Sequence, residues 1–118
     1  MSVNSVNKVI LVGRLGQDPD VKTSQAGKKI VSFSMATSDS WKDKETGERQ
    51  EKTYWHKIVI FNDGLAGIAE SYLKKGSLVY IEGALQTRDY EKNGSKIHIT
   101  EVVLQGFSAT LKMLDSRN

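Results

Sequence analysis

His56 and His98 are the only imidazoles in this 118-residue chain, and cysteine is absent. Nucleophilic catalysis through Ser or Thr needs a base within hydrogen-bond reach, so few constellations could support it. His98 lies between Ile97 and Ile99, a setting that reads as a half-buried structural or interface histidine. Glu48 and Glu51 are spaced for paired-carboxylate chemistry, but they sit among Lys44, Arg49 and Lys52 in a charge-balanced stretch that reads as solvated surface. The lack of Cys excludes disulfides, thiolate metal sites, iron–sulfur clusters and a cysteine nucleophile. Gly13 and Gly16 are three apart, yet neither G-x-G-x-x-G nor G-x-x-x-x-G-K-[ST] occurs, and Gly27-Lys28-Lys29 reads as a turn. No catalytic residue, metal or cofactor is expected.

Aromatics interleaved with cations offer a different chemistry. Trp41 stands near Lys42 and Lys44 in a polar stretch with no apolar neighbours to bury it. If residues 53–62 form a strand, Trp55 and Phe61 share a face with Lys57, opposite Ile58 and Ile60. By the same alternation Arg88 and Tyr90 share a face, opposite Val79, Ile81 and Leu85. An exposed ring beside a cation suits a nucleobase, because the ring stacks on the base while the cation meets the phosphate. Each stack is worth about 1–3 kcal/mol and tolerates any base. A barrel core is the competing place for any one of these aromatics; Trp41 fits it least.

The elements that must hold these residues follow from periodicity. Residues 3–15 contain Val9-Ile10-Leu11-Val12, apolar at both parities, which predicts a strand covered on both faces. Residues 28–39 alternate, with Val31, Phe33 and Met35 on one side, and residues 53–62 form the third strand. The period then changes: Leu65, Ile68, Ala69, Tyr72 and Leu73 share a helical stripe. Asn62 or Asp63 can cap its start, Lys74 and Lys75 suit its C-terminal dipole, and Gly76 suits the left-handed position beyond its end. Residues 77–90 predict a long strand bent at Gly83, Asn93-Gly94 a hairpin turn, and residues 97–107 the returning strand. Asn93-Gly94-Ser95 also matches a glycosylation sequon, for which the turn is the better reading. Residues 16–27 and 40–52 read as polar connections, and the tail 108–118 offers only Leu111, Met113 and Leu114 as anchors. The second connection is longer than a usual hairpin loop, which suggests a functional or mobile segment.

The order strand, strand, strand, helix, strand, strand predicts an all-β protein with one helix: a five-stranded, antiparallel OB-fold barrel spanning 1–118 as one domain. An open sheet with one covering helix is the alternative. A formal charge of +3 permits a polyanionic partner without requiring one. No apolar run is long enough for a signal peptide or a membrane span, which predicts a soluble, cytoplasmic protein.

The residues also match a family. Asn7-Lys8-Val9-Ile10-Leu11-Val12-Gly13 and Leu15-Gly16-Gln17-Asp18-Pro19 resemble the opening of the bacterial single-stranded DNA-binding proteins. Ala36-Thr37-Ser38, Trp41, Trp55-His56, Tyr72-Leu73, Lys75-Gly76-Ser77, Val79-Tyr80-Ile81-Glu82-Gly83 and Thr100-Glu101-Val102-Val103 follow in register, so the resemblance spans essentially 5–115. It implies an OB fold, a homotetramer, and sequence-independent wrapping of single-stranded DNA in replication, recombination and repair. Carried over, Trp41, Trp55 and Phe61 look like the family's stacking aromatics, and Tyr90 falls where Trp is common. Lys44, Lys74 and Arg88 match phosphate-meeting positions, with Lys57 and Lys75 as neighbouring candidates. His56 matches a subunit contact, and Tyr80 and Glu82 a strand joining dimers into the tetramer.

Some positions depart from the family pattern. Thr23 stands where a basic–aromatic pair is common, and Asp89 where a base is common. The family's long Gly/Pro/Gln-rich tail, whose acidic tip recruits replication and repair proteins, has no counterpart before Asn118, so a truncated core is expected. A protein-interaction scaffold anchored by Trp41 and Trp55 and an RNA-binding domain remain the other classes. The aromatic-rich RNP strand motifs of the latter are absent.

Overall fold

The structure, a computed structural model, describes residues 4–115. Val3 of the expected first strand, the last three tail residues and the two ends of the expected 1–118 domain lie outside these. The elements run β1 (Val9–Leu15), β2 (Asp20–Thr23), β3 (Lys29–Lys42), β4 (Arg49–Ile60), α1 (Asp63–Tyr72), β5 (Leu78–Lys92), β6 (Ser95–Leu104) and β7 (Thr110–Met113). Five of them close a barrel in the order β1-β3-β4-β6-β5, with β5 returning to β1. This is the expected OB-type barrel, with one difference. The pairing of β4 with β6 is parallel, running from Ile58 opposite Val102 to Ile60 opposite Leu104, where an all-antiparallel sheet was expected.

Alternation decides what the barrel buries. Val31, Phe33 and Met35 of β3, Ile58 and Ile60 of β4, Val79 and Ile81 of β5, and Val102 and Leu104 of β6 point inward and are buried. Fully burying side chains of this size contributes about 1.5–3 kcal/mol each. Leu11 and Val9 pack against that core from β1, while Ile10 and Val12 remain exposed on its outer side. Among the described residues, only one face of β1 is therefore covered.

The helix forms where expected, but its buried stripe differs. Asn62 caps it, its side-chain Oδ1 accepting from the Leu65 N–H at 3.1 Å. Ala66 and Ala69 are the buried residues, whereas Ile68 and Tyr72 are exposed. Ala69 and Leu73 of the expected stripe are buried and Leu65 packs against the core, so the difference is that Ala66 takes the place of Ile68 and Tyr72 and lets the helix lie close against the barrel. The helix ends at Leu73, whose cap is extended, so Lys74 and Lys75 lie beyond the last turn. Gly76, with φ +90°, belongs to the turn closed by the Ser77 N–H donating to the Lys74 carbonyl.

Three supposed loops are partly strand. Residues 40–52 do not form a long connection, because β3 and β4 stay paired out to Lys42 opposite Arg49. The turn is only Asp43 to Glu48, with the Gly47 N–H donating to the Asp43 carbonyl and Asp43 Oδ1 accepting from the Glu45 N–H. Both faces of this protruding arm are wet, so no apolar period betrays the strands. β2 pairs with Lys29–Ser32 of β3, and β7 pairs with Val79–Glu82 of β5, burying Leu111. Four-residue strands are too short to show a period. The β5–β6 hairpin turns at Asn93 (φ 54°) and Gly94 (φ 79°), as the Asn-Gly pair predicts, and β6 stops at Leu104, leaving Phe107 exposed. Among the described residues no helix is long and apolar enough to cross a membrane.

Gly83 marks the corner where β5 changes partner, from β1 (Val9 opposite Gly83) to β6 (Ala84 opposite Val103). A Cβ there would lie 2.6 Å from the Val103 carbonyl oxygen and 3.0 Å from Leu104 Cδ1. Gly83→Ala should therefore lower stability by about 1–3 kcal/mol through overpacking. Urea unfolding checks this, and a midpoint equal to the parent's would show that the corner relaxes freely.

Candidate nucleic-acid interface

The register of four strands assembles one outer sheet face. Paired residues share a face, so Ser32, Ser34 and Ala36 of β3 lie beside Val59, Lys57 and Trp55 of β4. Val59 lies beside Val103 across the parallel pairing, and Val103 beside Ala84. Further along, Gln86 faces Glu101, Arg88 faces Ile99 and Tyr90 faces Ile97. Trp55, Lys57, Phe61, Arg88 and Tyr90 are thus brought to one surface, opposite the core, as alternation predicts. A groove of about 300 Å³ runs through it, lined by Lys57, Val59, Phe61, Arg88, Glu101 and Val103.

Its aromatics are accessible. Trp55 is 62% exposed, Phe61 39% and Tyr90 40%. The Trp55 indole lies over Gly16, where a Cβ would come within 2.4 Å of Cζ3 and 2.8 Å of Cη2. Gly16 is held in turn by its N–H donating to the Ser34 carbonyl. The turn after α1 docks on the same segment: the Gly76 N–H donates to the Leu15 carbonyl and the Lys75 N–H to Asp18 Oδ1. Lys74 and Lys75, both exposed, therefore stand at the Trp55 end of the face.

Two expected site residues are not on this surface. Trp41, opposite Gln50, lies on the reverse of the β3–β4 arm with Thr37, Lys52 and Tyr54. It is 48% exposed, and beside it the Lys52 ammonium sits 5.2 Å from the Tyr54 ring centroid. Lys44 sits in the turn at the arm's tip. A strand that used Trp55 and Trp41 together would have to cross the arm's edge.

Glu101 is the groove residue that sequence reasoning missed as a participant. It is 4% exposed and holds Arg88 through Nε–Oε1 at 2.9 Å and Nη2–Oε2 at 3.2 Å. Those bonds raise the Arg88 pKa further, so its charge is permanent. The guanidinium also lies 5.8 Å from the Tyr90 ring centroid. A lone acid in the apolar run Ile97–Leu104 was the available signal, but only the register shows it diagonal to Arg88. Asp20 and Lys22 at the groove rim come from β2 and were likewise unassigned. The departure at Asp89 falls on the opposite face from Tyr90, where its carboxylate meets His98.

The residues expected at subunit contacts lie elsewhere. His56 is half-buried on the inward parity of β4, its Nε2 2.9 Å from Thr37 Oγ1. The Tyr80 hydroxyl donates to Glu82, whose Oε1 lies 3.2 Å from Lys8 Nζ. That hydroxyl, and then Lys8, hold the Glu82 carboxyl below its ordinary range, while Glu82 pushes the Tyr80 phenol up. Exposed Ile10 and Val12 pair with Glu82 and Tyr80 across β1–β5, making an apolar outer patch.

The model of the Single-strand binding protein family matches residues 6–113. This chain belongs to the single-strand binding protein family. A relative named single-stranded DNA-binding protein from Rickettsia felis is 52% identical over 115 residues, 97% of this chain and 76% of the relative. One of the same name from Rhizobium meliloti is 53% identical over 114 residues, 96% of this chain and 66% of the relative. The Plasmodium falciparum SSB in complex with ssDNA superposes with a TM-score of 0.87 at 38% identity, covering 98% of this chain and all of that one. A deletion mutant of the single-stranded DNA binding protein from Thermus aquaticus gives 0.75 at 29% identity, covering 95% and 52%.

The exposure of Trp55 means that folding depends little on its side chain. Trp55→Ala should cost binding about 1–3 kcal/mol, the range known for stacking in this class of protein, with a smaller effect on thermal unfolding. Gly16→Ala should displace the indole and weaken binding in the same direction while the chain still folds. Unfolding that drops sharply in Trp55→Ala while the folded fraction binds normally would assign this side chain to the core.

Proposed function

We propose that this chain binds single-stranded DNA without sequence preference and protects it during replication, recombination and repair, as a non-enzymatic protein of the cytoplasm and nucleoid. The observation that carries this reading is the single outer face on which Trp55, Phe61 and Tyr90 alternate with Lys57 and Arg88. Stacking on those rings supplies affinity that any base can satisfy. Exposed Lys57, Lys74 and Lys75 supply charge for phosphates, with Lys44 and Trp41 extending the path onto the β3–β4 arm. Among the described residues α1 is the one helix and carries no Lys or Arg, which disfavours a recognition helix for a duplex groove. The whole 1–118 chain is read as one OB-fold domain serving both binding and assembly.

Assembly into a homotetramer belongs to the same reading. The exposed Ile10 and Val12 on β1, beside Tyr80 and Glu82, support a surface completed by another copy. His56, on the face of β4 opposite Trp55, is assigned to a subunit contact. His56→Tyr should make the tetramer dissociate more readily on dilution. Sedimentation that stays unchanged down to low concentration would remove His56 from the interface.

Tryptophan fluorescence titration with oligo-dT, oligo-rU and duplex DNA tests the binding reading directly. Tight binding of oligo-dT and weak binding of duplex of matched length are expected; equal affinity for the two would overturn it, and a preference for oligo-rU would indicate RNA. Salt then separates the two contributions. Lys74→Ala should flatten the dependence of log K on log salt by about 0.7 per lost phosphate contact. Trp55→Ala should lower affinity at every salt concentration with little change of slope. Binding that disappears at about 1 M salt, where screening reaches roughly 3 Å, would show that the aromatics are not the main platform.

A further inference from the structure

We propose that Glu101 is a positioning residue that converts Arg88 from a phosphate cation into a fixed, charge-neutral platform for a base. The inference rests on single-strand binding by this face. A carboxylate buried in the groove floor is an odd companion for a polyanion, because its charge opposes every nearby phosphate. Its two oxygens are taken by Arg88 Nε and Nη2 at 2.9 and 3.2 Å, a bidentate fork that fixes the guanidinium plane. The Arg88 side chain is 58% exposed and that of Glu101 only 5%, so the carboxylate is covered and the guanidinium is presented.

Three consequences follow from that geometry. The pair carries no net charge, so on binding it releases no counterion beyond what its neighbours release. The edge of Arg88 best matched to a phosphate, Nε with Nη2, is already occupied. What remains is the outer Nη1/Nη2 edge, with three N–H donors, and the flat face of a guanidinium lying 5.8 Å from the Tyr90 centroid. A planar cation beside an exposed ring on the same strand face extends the stacking surface by one more π-compatible plane. Lys57, by contrast, makes no ion pair among the described residues and keeps its charge for phosphate.

Titration of the full chain with oligo-dT across a series of salt concentrations tests this. The double variant Arg88→Gln/Glu101→Gln removes both charges and should bind more weakly at every salt with an unchanged slope. A slope flattened by about 0.7 would show that Arg88 is an ordinary phosphate cation and would overturn the proposal. Glu101→Gln alone leaves an unpaired cation and should steepen the slope by about 0.7, an extra loss of about threefold for each fivefold rise in salt. An unchanged slope in this variant counts against the neutral pair. Arg88→Lys keeps the charge and loses the plane, so it should weaken binding at all salts; affinity equal to the parent's would also overturn the proposal. Thermal melting confirms that each variant is folded, and should Glu101→Gln not fold, the double variant and Arg88→Lys decide the matter. If the parent itself fails to bind oligo-dT, the single-strand reading has failed and not this refinement of it.

Discussion

The parallel contact between β4 and β6 is the constraint on which the rest of the molecule depends. It spans only Ile58 to Ile60 against Val102 to Leu104, yet it closes the barrel. On the inner side it seals Ile58, Ile60, Val102 and Leu104 into the core. On the outer side it sets Val59 against Val103, and these two residues join the β4 half of the aromatic outer face to the β5–β6 half. Without it the sheet β4-β3-β1-β5-β6 would stay open, with Trp55, Lys57 and Phe61 on the β4 edge and Arg88 and Tyr90 three strands away on β5. Because a pleat alternates strictly, the same pairing that buries the core fixes which side chains face outward.

Closure also demands close approaches that only glycine permits. Gly83 lets β5 leave β1 for β6 at the barrel corner, and Gly16 lets the Trp55 ring approach the backbone just beyond β1. The first serves the fold and the second serves the site. The turn after α1 docks on the Gly16 segment through the Leu15 carbonyl and Asp18, so the helix connection delivers Lys74 and Lys75 to the aromatic face. Fold and candidate site thus share backbone hydrogen bonds at the Gly16 segment.

The charges of the face are unevenly available. Lys57, Lys74 and Lys75 are exposed, whereas Arg88 is committed to Glu101. The acids of the β3–β4 arm offset its bases, and Asp39 lies opposite Lys52. With a net charge of only +3, affinity has to come from planes as well as from cations. That balance favours binding that tolerates any sequence and keeps a part insensitive to salt.

By itself the sequence determined whatever depends on period and local backbone chemistry. Alternation placed Val31, Phe33, Met35, Ile58 and Ile60 inside and Trp55, Lys57 and Phe61 outside. Asn62 or Asp63 marked the helix start, which the structure gives to Asn62, and Asn93-Gly94 announced a hairpin through the positive φ angles those residues accept. The chain's resemblance to single-stranded DNA-binding proteins was also legible in motifs that run in register. Periodicity left undetected the strands that are wet on both sides or only four residues long, because the β3–β4 arm, β2 and β7 bury too little to create a pattern. Side-chain size misled in part of the helix, where Ala66 is buried and Ile68 and Tyr72 are not, although Ala69 and Leu73 are buried as expected. Only the tertiary structure decided that Trp41 faces away from Trp55, that Gly16 lies beneath the indole, and that Glu101 grips Arg88. Each of these depends on the register between strands distant in sequence, and register is set by barrel closure, which no local segment encodes.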